Sequence, residues 1–103
     1  MRAVIHQAAA DDIIRHATWY QGRSVAAITR RFQTAVLRAL EQLCATPESG
    51  ESQAAAHPSL AGLRAWPLKG FAEFRVWYTT EADHVAVLRV LHEKRDIGIA
   101  DGG

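Results

Sequence analysis

Residues 62–96 read GLRAWPLKGFAEFRVWYTTEADHVAVLRVLHEKRD, and this segment predicts three consecutive β-strands. Leu63–Trp66 ends at Pro67, which has no N–H group to donate and therefore belongs at a strand end or a sheet edge. Phe71–Tyr78 alternates between two kinds of side chain, and Val85–His92 is almost continuously aliphatic, as in a strand covered on both faces. Such an antiparallel meander cannot bury its apolar face alone, so the rest of the chain must cover it.

The alternation in the second strand predicts which side chains face the cover and which face away. One face is expected to carry Phe74, Val76 and Tyr78, and the other Glu73, Arg75 and Trp77. An aromatic side chain on the outward face of a sheet has no obvious use in a monomer. Trp77 is therefore a candidate for contact with a partner protein.

The chain before the meander predicts one short strand and two helices. Arg2–Gln7 is the strand candidate, and Ala8–Tyr20 carries apolar side chains at helical spacing. Asp11 and Asp12 are expected in the first turn of this helix, where negative charge complements the helix dipole. Val25–Ala45 is the longest helical pattern in the chain, and the short connection makes the two helices an antiparallel hairpin over residues 8–46.

These elements predict one α+β domain over residues 1–103, with an N-terminal strand, an α-hairpin and a three-stranded meander. Both helices are expected on one face of a four-stranded sheet, with the first strand beside a strand of the antiparallel meander. Residues 47–61 are small and polar, which is typical of a surface loop. Residues 97–103 contain three glycines and are predicted to form a short, weakly structured tail.

Composition excludes several classes of protein. A formal charge of +1 is too small for a chain that grips nucleic acid mainly through its phosphates, so no direct specific nucleic-acid binding is expected. No apolar run is long enough for a membrane span, and the N-terminus does not resemble a signal peptide. The single Cys44 forms no internal disulfide, which favours a cytoplasmic location, and it is predicted to be a small buried hydrophobic residue.

The sequence contains no strong catalytic motif. It has no P-loop, nucleophile elbow, zinc-protease or dinucleotide motif, and its five histidines lack ligand spacing, so neither a metal nor another cofactor is expected. One set of side chains in the meander fits cleavage of RNA through its 2′-hydroxyl, which needs a base, an acid and a cation. Its members are Arg64, Lys69, Arg75, Arg89, His92, Lys94 and Arg95. The alternative, which we favour, is that these are solvated charges paired with nearby carboxylates.

Arg89 differs from the other members of this set because it lies within the most apolar strand. A cation in that position needs a carboxylate or a partner protein. A structural ion pair and a partner contact are both consistent with the sequence.

The ordered motifs of the chain resemble the RelE/ParE superfamily of toxins from type II toxin–antitoxin modules, and more closely its ParE branch. The resemblance covers residues 3–98 and is strongest at Lys69-Gly70-Phe71, Arg75–Tyr78 and Val87–His92, followed by Arg95-Asp96. It implies an α-hairpin packed on a twisted antiparallel sheet, and a ParD-like antitoxin whose C-terminal segment wraps around the chain. ParE-like members are associated with inhibition of DNA gyrase, and RelE-like members cut mRNA on the ribosome.

Two features favour the ParE branch. RNA-cutting members carry a Tyr shortly after the last strand, and alignment on Arg95-Asp96-Ile97 places Gly98 at that position. The near-neutral charge also disfavours binding to ribosomal RNA. The resemblance therefore implies a gyrase-inhibiting toxin without catalytic residues. The alternative is a ribosome-dependent endoribonuclease that uses His92, Arg89 and Arg95, and a third possibility is a harmless relative that only binds its partner.

The antitoxin site is predicted from aromatic and basic side chains that a partner segment would cover. The candidates are Trp19, Arg64, Arg75, Trp77 and Arg89. For the two tryptophans, ordinary packing in the core is the alternative. Alanine substitutions at Trp77 and Arg89 are expected to weaken antitoxin binding more than fold stability.

Overall fold

The computed structural model describes residues 1–23 and 26–93, and for residues 18–23, 26–29 and 72 it describes only the backbone. The order of elements is β, α, α and then strands, as predicted. The bounds are β1 Arg2–Ile5, α1 Gln7–Arg23, α2 Ala26–Ala45, a 3₁₀ turn Pro47–Ser49, β2 Glu51–Ser52, β3 Arg64–Leu68, β4 Phe71–Thr80 and β5 His84–His92.

The strands form one sheet in the order β1-β5-β4-β3-β2. The predicted meander β3-β4-β5 is antiparallel, and β1 pairs with β5 in parallel. The sheet has five strands where four were predicted, because Glu51–Ser52 pairs with Arg64 and Ala65 of β3. The prediction of a plain surface loop over residues 47–61 is therefore wrong in part, since its first residues form a 3₁₀ turn and an edge strand.

The outer edge of β3 is protected by Pro67. Gln53 donates its backbone N–H to the carbonyl of Leu63 at 2.8 Å, so odd-numbered residues of β3 direct their backbone polar groups outward. Beyond Ala65, which pairs with Glu51, the next such residue is Pro67, which has no N–H. β3 continues through this proline to Leu68, two residues further than predicted, because the ladder to β4 does not need the missing donor.

Helix α1 begins one residue earlier than predicted. The backbone N–H of His6 still donates to the carbonyl of Val87 at 2.9 Å, and the helix starts at the next residue, Gln7. Asp11 and Asp12 consequently lie in the second turn, and the prediction that they sit in the first turn is wrong.

The sheet carries a hydrophobic cluster on each face. The larger cluster lies under the helices and contains Phe32, Leu43, Phe74, Val76 and Tyr78. The smaller cluster lies on the opposite face, which we call the far face. It consists of Leu63, Ala65, Trp77 and Leu91, with Leu60 and Leu88 packed against it. This arrangement confirms the predicted α+β architecture and the two faces of β4. Cys44 is half-buried and free rather than fully buried as predicted.

Candidate interaction site

A buried carboxylate joins α1 to β5. Asp12 is inaccessible to solvent and accepts hydrogen bonds from Arg89 at both oxygens, with Nε–Oδ2 and Nη2–Oδ1 distances of 2.7 and 2.8 Å. Arg15 also donates to Oδ1, and the backbone N–H of Val90 donates to Oδ2 at 3.0 Å. The structural ion pair that the sequence left open for Arg89 is therefore present, and its partner comes from the first helix.

The same junction satisfies the exposed edge of β5. β1 pairs with β5 only as far as Val87, so the backbone groups of Val90 lie beyond its end. Asp12 accepts from the N–H of Val90, and Nε2 of His16, one helical turn later, lies 2.9 Å from its carbonyl oxygen. Burial is the main effect that lowers the pKa of His16, which favours a neutral ring that donates from Nε2.

Trp77 is on the far face, as predicted, but it is not exposed. Its side chain is inaccessible to solvent because Leu60 and His57 cover this face, with the rings of His57 and Trp77 5.9 Å apart. Arg75 is half-buried and places its guanidinium carbon 4.7 Å from the centre of the Trp77 ring. Of the two predictions for Trp77, core packing is therefore the one observed, and its role in antitoxin binding stays a prediction.

Two buried nitrogens on the far face have no acceptor among the described residues. They are Nε of Arg75 and Nε1 of Trp77. Buried donors normally find a partner, because leaving one unpaired costs about 1–3 kcal/mol. The far face is thus less completely satisfied than the junction around Asp12.

Arg64 has a structural contact of its own. Its Nη1 donates to the carbonyl of Gly50 at 2.7 Å and to that of Glu48 at 3.3 Å. The hydroxyl of Tyr78 donates to the carbonyl of Pro47 at 2.6 Å and accepts from the N–H of Gly50 at 2.8 Å. Arg64 and Tyr78 together hold the 3₁₀ turn and β2 against the sheet.

The predicted binding residues do not form one surface. Arg75 and Trp77 are in contact on the far face, Arg64 faces the 3₁₀ turn, and Arg89 turns its guanidinium to α1 although its backbone pairs with that of Trp77. Trp19 has only its backbone among the described atoms, so its predicted role lies outside the described side chains.

A groove that the sequence did not predict lies between α2 and β3. It has a volume of about 310 Å³ and is lined by Ala35, Arg38, Ala39, Gln42, Trp66 and Lys69, and we call it the Trp66 groove. Its floor is apolar, since Ala35 and Ala39 are buried and Trp66 packs against the main core. The sequence signal was two small residues on the apolar stripe of α2, which leave room beside a large indole. Of the two charged residues in the groove, only Lys69 was in the set of meander side chains considered for RNA cleavage.

Comparison with known proteins identifies the family. A family model described as "ParE toxin of type II toxin-antitoxin system, parDE" matches residues 3–97. The chain belongs to the ParE toxin family. The fold agrees, because a solved structure titled "Chromosomal ParDE TA system from P. aeruginosa" superimposes with a TM-score of 0.71 at 16% identity, over 89% of this chain and 95% of that chain. No curated protein matches the chain.

Membership of the ParE family confirms the branch that the sequence favoured within the superfamily. The residues of the ribonuclease alternative are described only in part. Arg89 is held by Asp12, and the ring of His92 packs edge-on against Phe74 with centroids 5.4 Å apart. Lys94 and Arg95 lie outside the described residues, as does the predicted tail over 97–103.

The remaining predictions for this ParE chain concern metals and membranes. Within residues 1–23 and 26–93, no group of three His, Cys, Asp or Glu side chains is arranged to hold a metal ion. No helix in that part of the chain is long and apolar enough to cross a membrane.

Proposed function

We propose that this chain is a toxin that inhibits DNA gyrase by binding to it, and that a ParD-like antitoxin neutralises the toxin. The observation that carries the proposal is the match of the ParE family model to residues 3–97, which includes nearly all of the described chain. The likeness to the ParDE system of P. aeruginosa supports an antitoxin partner of the ParD type. A cytoplasmic location is part of the same proposal, because the target acts on chromosomal DNA.

The contacts of Arg89 and His92 favour binding over catalysis as the mode of action. A general base must reach the proton that it abstracts, and a phosphate-binding arginine must direct its N–H groups to the substrate. Arg89 instead directs Nε and Nη2 to Asp12, and His92 packs against an aromatic ring of the main core. Both arrangements serve the fold.

The direct test is a supercoiling assay with purified gyrase, relaxed plasmid and increasing amounts of the chain. We expect supercoiling to fall as the toxin approaches equimolar amounts with gyrase, while ribosomal and messenger RNA stay intact in a translation extract. The matched control is the same toxin premixed with its antitoxin, which we expect to be the product of the adjacent reading frame because the two genes of a toxin–antitoxin module lie side by side. Cleaved RNA together with unaffected supercoiling would show a ribonuclease instead.

Expression in cells distinguishes a toxin from a harmless relative that only binds its partner. Induction of the chain alone is expected to stop growth, and co-expression of the adjacent reading frame is expected to restore it. Growth that is unimpaired by a soluble, folded chain would contradict the proposed toxicity. His92→Ala serves as a further control, because full toxicity in that variant is expected of a binding protein and not of a His-dependent nuclease.

A further inference from the structure

The Trp66 groove combines an apolar floor with two cations that have no counter-ion among the described side chains. Arg38 on α2 and Lys69 in the turn after β3 line it, and among the described residues neither forms an ion pair or a hydrogen bond. The indole N–H of Trp66 likewise has no acceptor in the described part of the chain. None of the described residues that line the groove carries a carboxylate. Its chemistry therefore matches a ligand that carries both negative charge and an apolar group.

The adjacent sheet edge restricts how a ligand can bind there. A peptide that extended the sheet along β3 beyond Ala65 would need the backbone N–H of the next outward-facing residue. That residue is Pro67, which has none. Recognition in the groove must therefore use side chains, with an apolar side chain against Trp66 and carboxylates on the two cations.

Three other arginines of the described residues are already engaged by the fold. A second cavity of about 420 Å³ is lined by Arg64 and Glu48, among others. The guanidinium of Arg64 already donates to the carbonyls of Gly50 and Glu48. Arg89 and Arg15 share the buried carboxylate of Asp12. Arg38 and Lys69 differ from these three because no described side chain pairs with their charge.

We propose that the Trp66 groove binds an acidic amphipathic segment of the antitoxin, which places an apolar side chain on Trp66 and carboxylates on Arg38 and Lys69. This inference rests on the proposed function, in which a ParD-like partner neutralises the toxin. It replaces the binding surface predicted from the sequence, since Arg64, Trp77 and Arg89 have structural contacts and Arg38 was not among the candidates. Charge complementarity across such a site governs both affinity and salt dependence.

The test is a titration of the purified product of the adjacent reading frame into the toxin and its charge-reversal variants. We expect Arg38→Glu and Lys69→Glu each to weaken binding about tenfold and the double variant about a hundredfold, because reversed charges repel the carboxylates. The double variant is also expected to bind with a flatter dependence on salt concentration than the unaltered chain. A thermal melt of each variant checks that the fold is retained.

Arg2→Glu is the matched control for charge. Arg2 is exposed on β1, at the opposite edge of the sheet, and its contact with Asp83 is a long 3.8 Å surface pair. We expect this variant to bind the antitoxin within about threefold of the unaltered chain. Trp66→Ala and Trp66→Phe test the apolar floor, and the phenylalanine variant is expected to bind more tightly than the alanine variant.

Three results would overturn the inference. Folded groove variants with unchanged antitoxin affinity would place the site elsewhere and leave the proposed function intact. Groove variants that bind antitoxin normally but no longer inhibit gyrase would assign the groove to the target. Failure of the unaltered chain to bind the antitoxin at all would remove the neutralisation part of the proposed function, and the groove proposal with it.

Discussion

The two faces of the sheet differ in how completely their buried polar groups are hydrogen-bonded. Under the helices, the buried carboxylate of Asp12 is matched by Arg89, Arg15 and the N–H of Val90. On the far face, a small cluster around Trp77 is covered by a short segment that contributes Leu60 and His57, and two buried nitrogens have no acceptor among the described residues. The helical face therefore combines the larger apolar cluster with paired polar groups, whereas the far face depends mainly on apolar contact.

This difference predicts how each face responds to substitution. Removal of one member of a satisfied polar group leaves its partners buried and unpaired, which costs more than the interaction contributed. Removal of an unsatisfied donor, in contrast, takes away a penalty. Substitutions that remove buried volume or a buried charge should cause large losses of stability on both faces. Substitutions that remove only a hydrogen-bond donor should be tolerated on the far face alone.

The largest effect is expected for Asp12→Ala. The change leaves the Arg89 guanidinium and the N–H of Val90 without their acceptor, and breaking a buried pair in this way costs about 3–5 kcal/mol. Urea unfolding followed by circular dichroism measures the loss. Asp11→Ala is the matched control, since Asp11 is exposed and accepts only from Gln7 among the described contacts, and it should change stability by less than about 0.5 kcal/mol. Similar stabilities for the two variants would contradict the role of Asp12.

The next effect separates volume from hydrogen bonding at Trp77. Trp77→Ala empties a fully buried site and is expected to cost about 3–5 kcal/mol. Trp77→Phe keeps an aromatic ring and removes the unpaired Nε1, so its cost should stay below about 1.5 kcal/mol. Equal losses in the two variants, measured by urea unfolding, would show that the indole nitrogen does find an acceptor.

The expected effects at Trp77 and Arg89 reverse one prediction from the sequence. Alanine at these positions was expected to weaken antitoxin binding more than fold stability. Trp77 is buried and Arg89 is paired with Asp12, so we now expect stability to change more. The comparison needs antitoxin affinity and unfolding free energy measured on the same variants.

A smaller effect is expected where the 3₁₀ turn meets the sheet. Tyr78→Phe removes the hydroxyl that links Pro47 and Gly50, which should cost about 1–3 kcal/mol because both backbone groups lose their partner. Gly50→Ala should be at least as harmful, since a Cβ atom there would lie 2.4 Å from the Tyr78 hydroxyl oxygen.

Gly62→Ala tests the effect of backbone conformation, in contrast to the effect of close packing tested at Gly50. Apart from its chain neighbours, no atom of the described residues lies within 4 Å of a Cβ placed on Gly62. Only its positive φ of 77° opposes a side chain, so a loss of about 1 kcal/mol in stability is expected. If Gly50→Ala proved the milder change, the close packing of Tyr78 on the turn would be in doubt.

The elements that the sequence predicted well are those with local, repeated signals. The alternation in β4 placed Phe74 and Trp77 on opposite faces correctly, and helical spacing gave both helices to within a few residues. The sequence also indicated that Arg89 needs a carboxylate. It could not say which one, because Asp12 is 77 residues away and was interpreted through its own helix.

The features that the sequence missed depend on contacts between distant segments. Glu51–Ser52 has no strand pattern and becomes β2 only because β3 presents an edge to it. The cover of Trp77 comes from Leu60 and His57 in a segment with little apolar character. The Trp66 groove exists where α2 and β3 meet, so neither element reveals it alone.

The smallest effect concerns the pH dependence of the helical face through His16. Burial lowers the pKa of His16 in the folded chain below its usual value of 6.5, so the unfolded chain binds the proton more readily. The contribution of His16 to stability is therefore complete above about pH 6.5 and declines as the pH falls through 6.5 toward the lower pKa of the folded state.

Urea unfolding between pH 5 and 8 should show this decline in the unaltered chain, and His16→Gln should reduce its slope at some cost in stability at pH 8. An unchanged slope in His16→Gln would assign the acid sensitivity to another group.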